Sequence, residues 1–254
     1  MEVKRNRFQG IINVVRFNRH FYLMSLIVLF TLLSTVRLFP EIIQTPLFIG
    51  IGLAVIIIFI SLAVSFYVYD LSDLYKIKWL DKLSKATTKQ ILNINAGFDE
   101  TSEIILRKFP DAELTICDFF DPEKHTEISI KRARKAYPPK QETITVNSNN
   151  LPFSDNKFDV AMAILSAHEI RNDHERHVFF TELNRVLKVS GRIYVTEHLR
   201  DLNNFLAYTI GVLHFHSRKS WLQSFDRADL RVVQEIRTTP FITTFILEKN
   251  GTTY

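Results

Sequence analysis

Two short polar runs follow directly on apolar stretches. His168 and Glu169 come just after residues 158–164, and Glu197-His198-Leu199-Arg200-Asp201 ends the run 192–197. Imidazole titrates near neutrality and serves as a general base or acid, and a neighbouring carboxylate such as Glu169 or Glu197 can orient it. Arg200 can hold an anionic group through its guanidinium fork, with Asp201 beside it. His214-Phe215-His216 adds two more imidazoles. Ionisable groups crowded beyond buried strands point to a site, because open α/β sheets bind ligands outside the carboxyl ends of their strands. A solvated loop is the bland alternative. His168, Glu169, His198, Asp201, His214 and His216 are also metal-ligand types. No H-x-x-x-H or H-E-x-x-H spacing falls on a helix, and His214-x-His216 needs an extended segment to aim both rings one way. Acid–base chemistry without a metal is therefore the expectation.

These groups need strands and turns to hold them. Strands are expected at 91–95, 113–117, 143–146, 158–164 and 192–197, with two late strands at 230–237 and 241–249. Helices are expected at about 101–109, at 122–136 behind Asp121-Pro122, at 173–187 and near 219–225. Alternating strands and helices argue a doubly wound, mostly parallel α/β sheet. Ala96-Gly97-Phe98 reads as a tight turn after the first strand. His174 to His177 read as the wet face of their helix, and the basic run 131–135 as a solvated face, so nucleic acid is not expected as a partner. The single cysteine, Cys117, excludes an intrachain disulfide and sits in a strand pattern.

Residues 151–159 read Leu-Pro-Phe-Ser-Asp-Asn-Lys-Phe-Asp, and the 173–187 helix runs out in Arg185-Val186-Leu187-Lys188-Val189-Ser190-Gly191. This resembles the back half of class I S-adenosylmethionine-dependent methyltransferases with a type 11-like domain, over roughly residues 90–249. The resemblance implies a seven-stranded Rossmann-like sheet with its last strand antiparallel, and S-adenosylmethionine as cofactor. It places Asn93, Asn95, Ala96 and Gly97 where the family carries an acid and a glycine-rich turn. Only Gly97 is kept as glycine. Asn95 tolerates a left-handed backbone, and Asn93 carries no charge. Asp118 then accepts from the ribose hydroxyls, Phe119 lies against adenine, and Asn147 with Ser148 borders the adenine edge. Leu165 and Ser166 line the cofactor. His168 and His198 become candidate bases, with Arg200, Asp201, His214 and His216 around the acceptor. The altered glycine turn leaves two alternatives open: an inactive methyltransferase-fold scaffold, or another His/carboxylate enzyme, with or without a metal.

The front of the chain differs in kind. Residues 20–36 and 42–69 contain no charged residue, and a spanning helix needs about 20 apolar residues. Pro40 and Pro46 mark a loop between them. Two transmembrane helices in a hairpin are expected within a unit at 1–80, ahead of the catalytic domain at 81–254. Leu38-Phe39-Pro40-Glu41 is a poor cleavage site for a signal peptide. Lys4, Arg5, Arg7, Arg16 and Arg19 precede the hairpin, and Lys76, Lys78, Lys82, Lys85 and Lys89 follow it. The positive-inside rule puts both ends, and the domain, in the cytoplasm. Phe66, Tyr67, Tyr69, Tyr75 and Trp79 are expected as an interfacial aromatic belt. A membrane-tethered domain favours a lipid-like or aromatic small-molecule acceptor, as in quinone and isoprenoid-lipid methylation, which the resemblance also suggests.

Overall fold

The computed structural model describes residues 5–251, so Lys4 of the expected basic flank lies outside it. Seven strands form one sheet: β1 (Gln90–Asn95), β2 (Glu113–Asp118), β3 (Ile144–Thr145), β4 (Phe158–Ile164), β5 (Leu187–His198), β6 (Leu230–Thr239) and β7 (Ile242–Lys249). Their order is β3-β2-β1-β4-β5-β7-β6. Pairing is parallel from β3 through β5, and β7 runs antiparallel to both of its neighbours. The order reverses at β1 and β4, which opens a crevice at their carboxyl ends. The doubly wound class expected from the alternation is the one observed.

Each face of the sheet has its own core. On one face α6 (Asp173–Val186) and α8 (Arg218–Arg227) bury Phe179, Phe180, Trp221 and Phe225 against Phe245 and the central strands. Phe180 meets Phe225 edge-on at 4.9 Å, a pairing worth about 0.5–1.5 kcal/mol beyond its area. Asn172 caps α6 by accepting from the Glu175 N–H at 3.0 Å. Arg176 is fully buried rather than on a wet face; it bonds Ser220, Ser224, Asp173 and the Ile170 carbonyl, which supplies the partners a buried guanidinium requires. Cys117 is buried, and burial pushes its thiol up to about 12.

The other face is covered by α4 (Ser102–Lys108) and, unexpectedly, by the segment that follows the apolar hairpin. Ile77, Trp79 and Leu80 are buried there, with Trp79 stacked on Tyr194 at 4.9 Å. Ile77 turns the chain with a left-handed backbone (φ +38°), a conformation that costs a β-branched residue about 1–3 kcal/mol and persists because the side chain is wholly buried. The aromatic belt is corrected accordingly. Trp79 faces protein, and Tyr69 and Tyr75 line a cavity. The boundary expected at 80/81 cuts through this packed segment.

The hairpin consists of α2 (Arg19–Thr35) and α3 (Glu41–Phe66), both long and apolar enough to cross a membrane. The link is shorter than expected, because α3 begins straight after Pro40 and contains Pro46. Ahead of it, α1 (Gln9–Phe17) packs against α5 (Ile128–Ala136) and the end of α3. Asp70 caps α1 from beyond α3, accepting from the N–H groups of Gly10 and Ile11 at 2.7 Å, where the helix dipole favours a carboxylate. A side chain at Gly10 would collide with Tyr69 and Asp70.

Two further boundaries moved. The helix expected from 122 begins at Ile128, because Asp121 and His125 close a separate turn, with the Asp121 N–H donating to His125 Nδ1 at 2.8 Å. At the expected glycine turn, β4–β5 pairing jumps from Phe158↔Leu187 to Val160↔Arg192, so residues 188–191 bulge out. A Cβ at Gly191 would meet the Asp159 carbonyl at 2.9 Å. α7 (Leu202–Tyr208) and a 3₁₀ turn (Thr209–His214) fill the connection for which no element was expected.

Candidate active site

Two cavities of about 260 and 300 Å³ meet at Asn95 and Glu100, at the carboxyl ends of β1, β2 and β4. Asn95 accepts from the Gly97 N–H at 3.0 Å and shapes the turn, in which Gly97 takes φ +93°. The buried amide nitrogen of Asn95 has no hydrogen-bond partner. Such an orphaned donor costs free energy unless a ligand accepts from it. Ala96 and Phe98 line the smaller cavity. Asn93 is buried and donates to Thr101 and Ser102 at 3.0 and 2.8 Å, tying β1 to the start of α4.

Asp118 is buried at the end of β2 and lines the larger cavity. One carboxylate oxygen accepts from the Phe120 N–H at 2.8 Å, and the other is ion-paired with Arg134. Arg134 lies 4.6 Å over the Phe120 ring. A Cβ at Gly97 would come within 3.0 Å of Arg134 and 3.1 Å of Phe120, so glycine is what lets these side chains approach the turn. An unpaired amide donor and a buried carboxylate are the donor and acceptor types that an amino-acid carboxylate and a ribose diol require. The residues fit a nucleoside cofactor carrying an amino-acid tail. Other expected contacts lie elsewhere. Phe119 is in the core, 5.5 Å from Phe179. Asn147 is exposed, and Ser148 donates to Glu175 at 2.5 Å; neither borders the two cavities.

The smaller cavity ends among histidines. Leu165 lines it with a left-handed backbone (φ +51°), while Ser166 is buried behind, donating to the Ile94 carbonyl at 3.0 Å. Glu197, at the end of β5, accepts from the backbone N–H groups of Ser166 and His168 and from His168 Nδ1 at 2.6 Å. Glu169 lies 3.5 Å from His168 Nε2. Burial opposes charge on His168, yet these two carboxylates raise it to about 10, and Glu169 is held down to about 2 against its own burial. Carboxylates on both ring nitrogens thus favour the imidazolium of His168, which supports a cation there rather than the expected base. His214 packs edge-on at 5.1 Å and is tied to Arg171 and Glu127. His168, Glu169 and His214 are close enough to share a cation, but each already serves an ion pair.

His198 is the opposite case. Burial, reinforced by the His168 charge, lowers it to about 4. Asn204 gives its amide hydrogens to Asp201 and the Phe241 carbonyl, so its oxygen accepts from His198 Nδ1 at 3.0 Å. That fixes the tautomer: Nε2 carries the lone pair and accepts from the Tyr69 hydroxyl at 2.9 Å. Phe215 stacks on the His198 ring at 4.6 Å. Tyr69 comes from the end of the hairpin, and beside it Gly10, Asn13 and Phe17 of α1 also line the cavity. These contributors were invisible in the sequence, since nothing local ties residues 10–17 or 69 to a strand end over 100 residues away. Arg200 latches the Leu213 and Phe215 carbonyls, Asp201 caps α7, and His216 packs on Arg176 and Trp221; none lines the two cavities.

Residues 94–195 match the family described as a methyltransferase domain. They form a methyltransferase domain, and S-adenosylmethionine is the cofactor of its kind. The chain is 31% identical over 126 residues to a demethylmenaquinone methyltransferase of Thermotoga maritima, covering 48% of this chain and 51% of that one. It is 29% identical over 129 residues to a ubiquinone/menaquinone biosynthesis C-methyltransferase of Cereibacter sphaeroides, covering 49% and 48%. The chain thus spans about half the length of these curated relatives. An S-adenosylmethionine-dependent methyltransferase from Clostridium acetobutylicum superposes with a TM-score of 0.52 at 11% identity, over 71% of this chain and 92% of that one, which shows the shared fold.

Proposed function

We propose that the whole chain is a membrane-anchored methyltransferase whose domain faces the cytoplasm and methylates a lipid-tailed aromatic acceptor of the quinol kind. The observation that carries this reading is the Tyr69–His198 contact, in which the end of the apolar hairpin supplies a wall of the methyltransferase cavity. A tether alone would not need to enter the site. The names of the relatives, both quinone methyltransferases, support the acceptor class, and the basic flanks of the hairpin support the orientation.

Bound S-adenosylmethionine supplies an electrophilic methyl group. Asn95 and the Gly97 turn would hold its amino-acid end, and Asp118 would accept from the ribose hydroxyls in place of Arg134. The acceptor hydroxyl gives its proton to His198 Nε2, directly or through the Tyr69 hydroxyl, and Asn204 holds the ring in the tautomer that can receive it. The His168 imidazolium stabilises the resulting oxyanion. These residues would hold the deprotonated acceptor against the methyl group that the cofactor supplies. Such positioning provides much of the rate.

The test uses the full chain in nanodiscs with S-adenosylmethionine and a prenylated quinol. Methylated product with wild type, and its loss in His198→Gln with cofactor affinity unchanged, is the expected result. Cofactor binding without turnover on any phenolic acceptor would favour the scaffold. Turnover abolished by chelation and restored by a divalent cation would favour a metal held by His168, Glu169 and His214.

A further inference from the structure

Residues 202–213 read Leu-Asn-Asn-Phe-Leu-Ala-Tyr-Thr-Ile-Gly-Val-Leu, twelve positions without a charge. They form α7 and the following 3₁₀ turn. Asn204, Ala207 and Val212 face inward. Leu202, Phe205, Leu206, Ile210 and Leu213 face outward, with Ile210 81% exposed. Leu202, Phe205 and Leu206 share one face of α7 by their spacing, and beyond the break at Thr209 (φ +48°) Ile210 and Leu213, three apart, share one face of the 3₁₀ turn. An exposed apolar surface of this kind marks an interaction surface. Arg200 lies just before the segment, and Arg218 and Lys219 shortly after it.

Position within the fold selects the occupant. α7 packs beside α3, the longer of the two candidate spans, whose own outward side chains, such as Phe59 at 70%, are equally bare. These side chains therefore continue the apolar surface of the hairpin. His214 and Phe215, which line the smaller cavity, follow directly on the segment. We infer that residues 202–213 lie in the membrane interface as a third lipid contact, so that the smaller cavity opens at the bilayer surface and receives its acceptor from the lipid phase. The apolar side chains enter the acyl boundary, and Lys219, exposed at the start of α8, meets the headgroups. An acceptor can then keep its tail in the bilayer while its ring reaches Tyr69 and His198. This inference rests on reading α2 and α3 as membrane spans.

The test keeps the two readings apart. Single cysteines are placed at Leu206, Ile210, Phe59 and Val189 of the full chain in a Cys117→Ala background. Each is labelled with an environment-sensitive fluorophore, and the protein is reconstituted in phosphatidylcholine–phosphatidylglycerol vesicles. Nitroxide-bearing lipids quench from within the bilayer and iodide quenches from water. Val189 is exposed at the other end of β5, away from the cavities, and serves as the aqueous control. Labels at 206 and 210 are expected to be quenched severalfold more by shallow nitroxide lipid than by iodide, with the label at 59 responding best to deep nitroxide. If 206 and 210 behave like 189 while 59 is lipid-quenched, this inference fails and the anchor stands. If 59 is quenched by iodide, both fail. Labels at 206 and 210 shielded from both quenchers would mean that a second copy of the chain covers the face, which also overturns the proposal. A Leu206→Glu/Ile210→Glu variant adds a functional arm. Its cofactor affinity should hold, and its turnover should fall for a long-tailed quinol but not for a short-tailed one. An equal effect on both acceptors would remove the portal.

Discussion

His168, on the turn after β4, and His198, at the end of β5, line one cavity with little exposure, yet their surroundings push them in opposite directions. Burial disfavours the cation at both positions. His168 overcomes it with two carboxylates and is raised to about 10; His198 has an amide and a phenol as partners and is lowered to about 4. The difference teaches that neither residue type nor depth assigns a role here. The partner on the far nitrogen does. Carboxylates favour the cation at His168, whereas burial favours the neutral ring at His198, whose Nε2 accepts from the Tyr69 hydroxyl.

The largest expected effect comes from removing the clamp. Glu197→Gln breaks a buried ion pair and should lower stability by about 3–5 kcal/mol in denaturant unfolding of the full chain. The His168 imidazole should then titrate far below 10 by NMR; if it does not, the contrast between the two histidines is wrong. His198→Gln should lower turnover by about 10²–10⁴-fold per folded molecule while leaving cofactor affinity intact. Tyr69→Phe should show a smaller loss of the same kind. Weakened cofactor binding in either variant would place these groups at the wrong end of the site.

At the cofactor end, calorimetry of Asp118→Ala should show S-adenosylmethionine binding weakened by about 1.5–3 kcal/mol, the scale of a hydrogen bond to a charged group. Arg134→Ala should tighten binding by a smaller amount, because it frees the carboxylate; a loss would show that the guanidinium holds the cofactor. The subtlest expectation concerns pH. The folded His168 binds its proton more tightly than an ordinary histidine near 6.5, so its stabilisation is complete below 6.5 and fades as pH rises through about 10. His198 binds its proton less tightly than that, so its contribution is complete above 6.5 and fades as pH falls through about 4. Melting temperatures from pH 4 to 10 should lose part of their alkaline slope in Glu197→Gln and part of their acid slope in His198→Gln.

Much of this was legible in local pattern. The short segments at 91–95, 113–117 and 158–164, rich in Ile, Leu, Val and Ala, are strands because buried parallel strands favour apolar residues on both faces. The spacing of Gly97 and Asp118 behind β1 and β2 followed from the motif, and the two uncharged runs of the hairpin from their length alone. Residues whose reading depended on a single neighbour in space were read wrongly. Arg176 looked like a wet helix face and is buried under Trp221, and Tyr75 and Trp79 looked like an interfacial belt, whereas Tyr75 lines a cavity and Trp79 packs against protein. The sequence by itself determined the order of elements, the sheet class and the identity of the groups at the strand ends, because these depend on periodicity and chain connectivity. Only the tertiary structure decided which histidine is charged, that Arg134 sits on Asp118, and that α1 and Tyr69 wall the cavity. Each of these is set by contacts between residues remote in the chain, and a proton's free energy depends on distances and burial that no local pattern encodes.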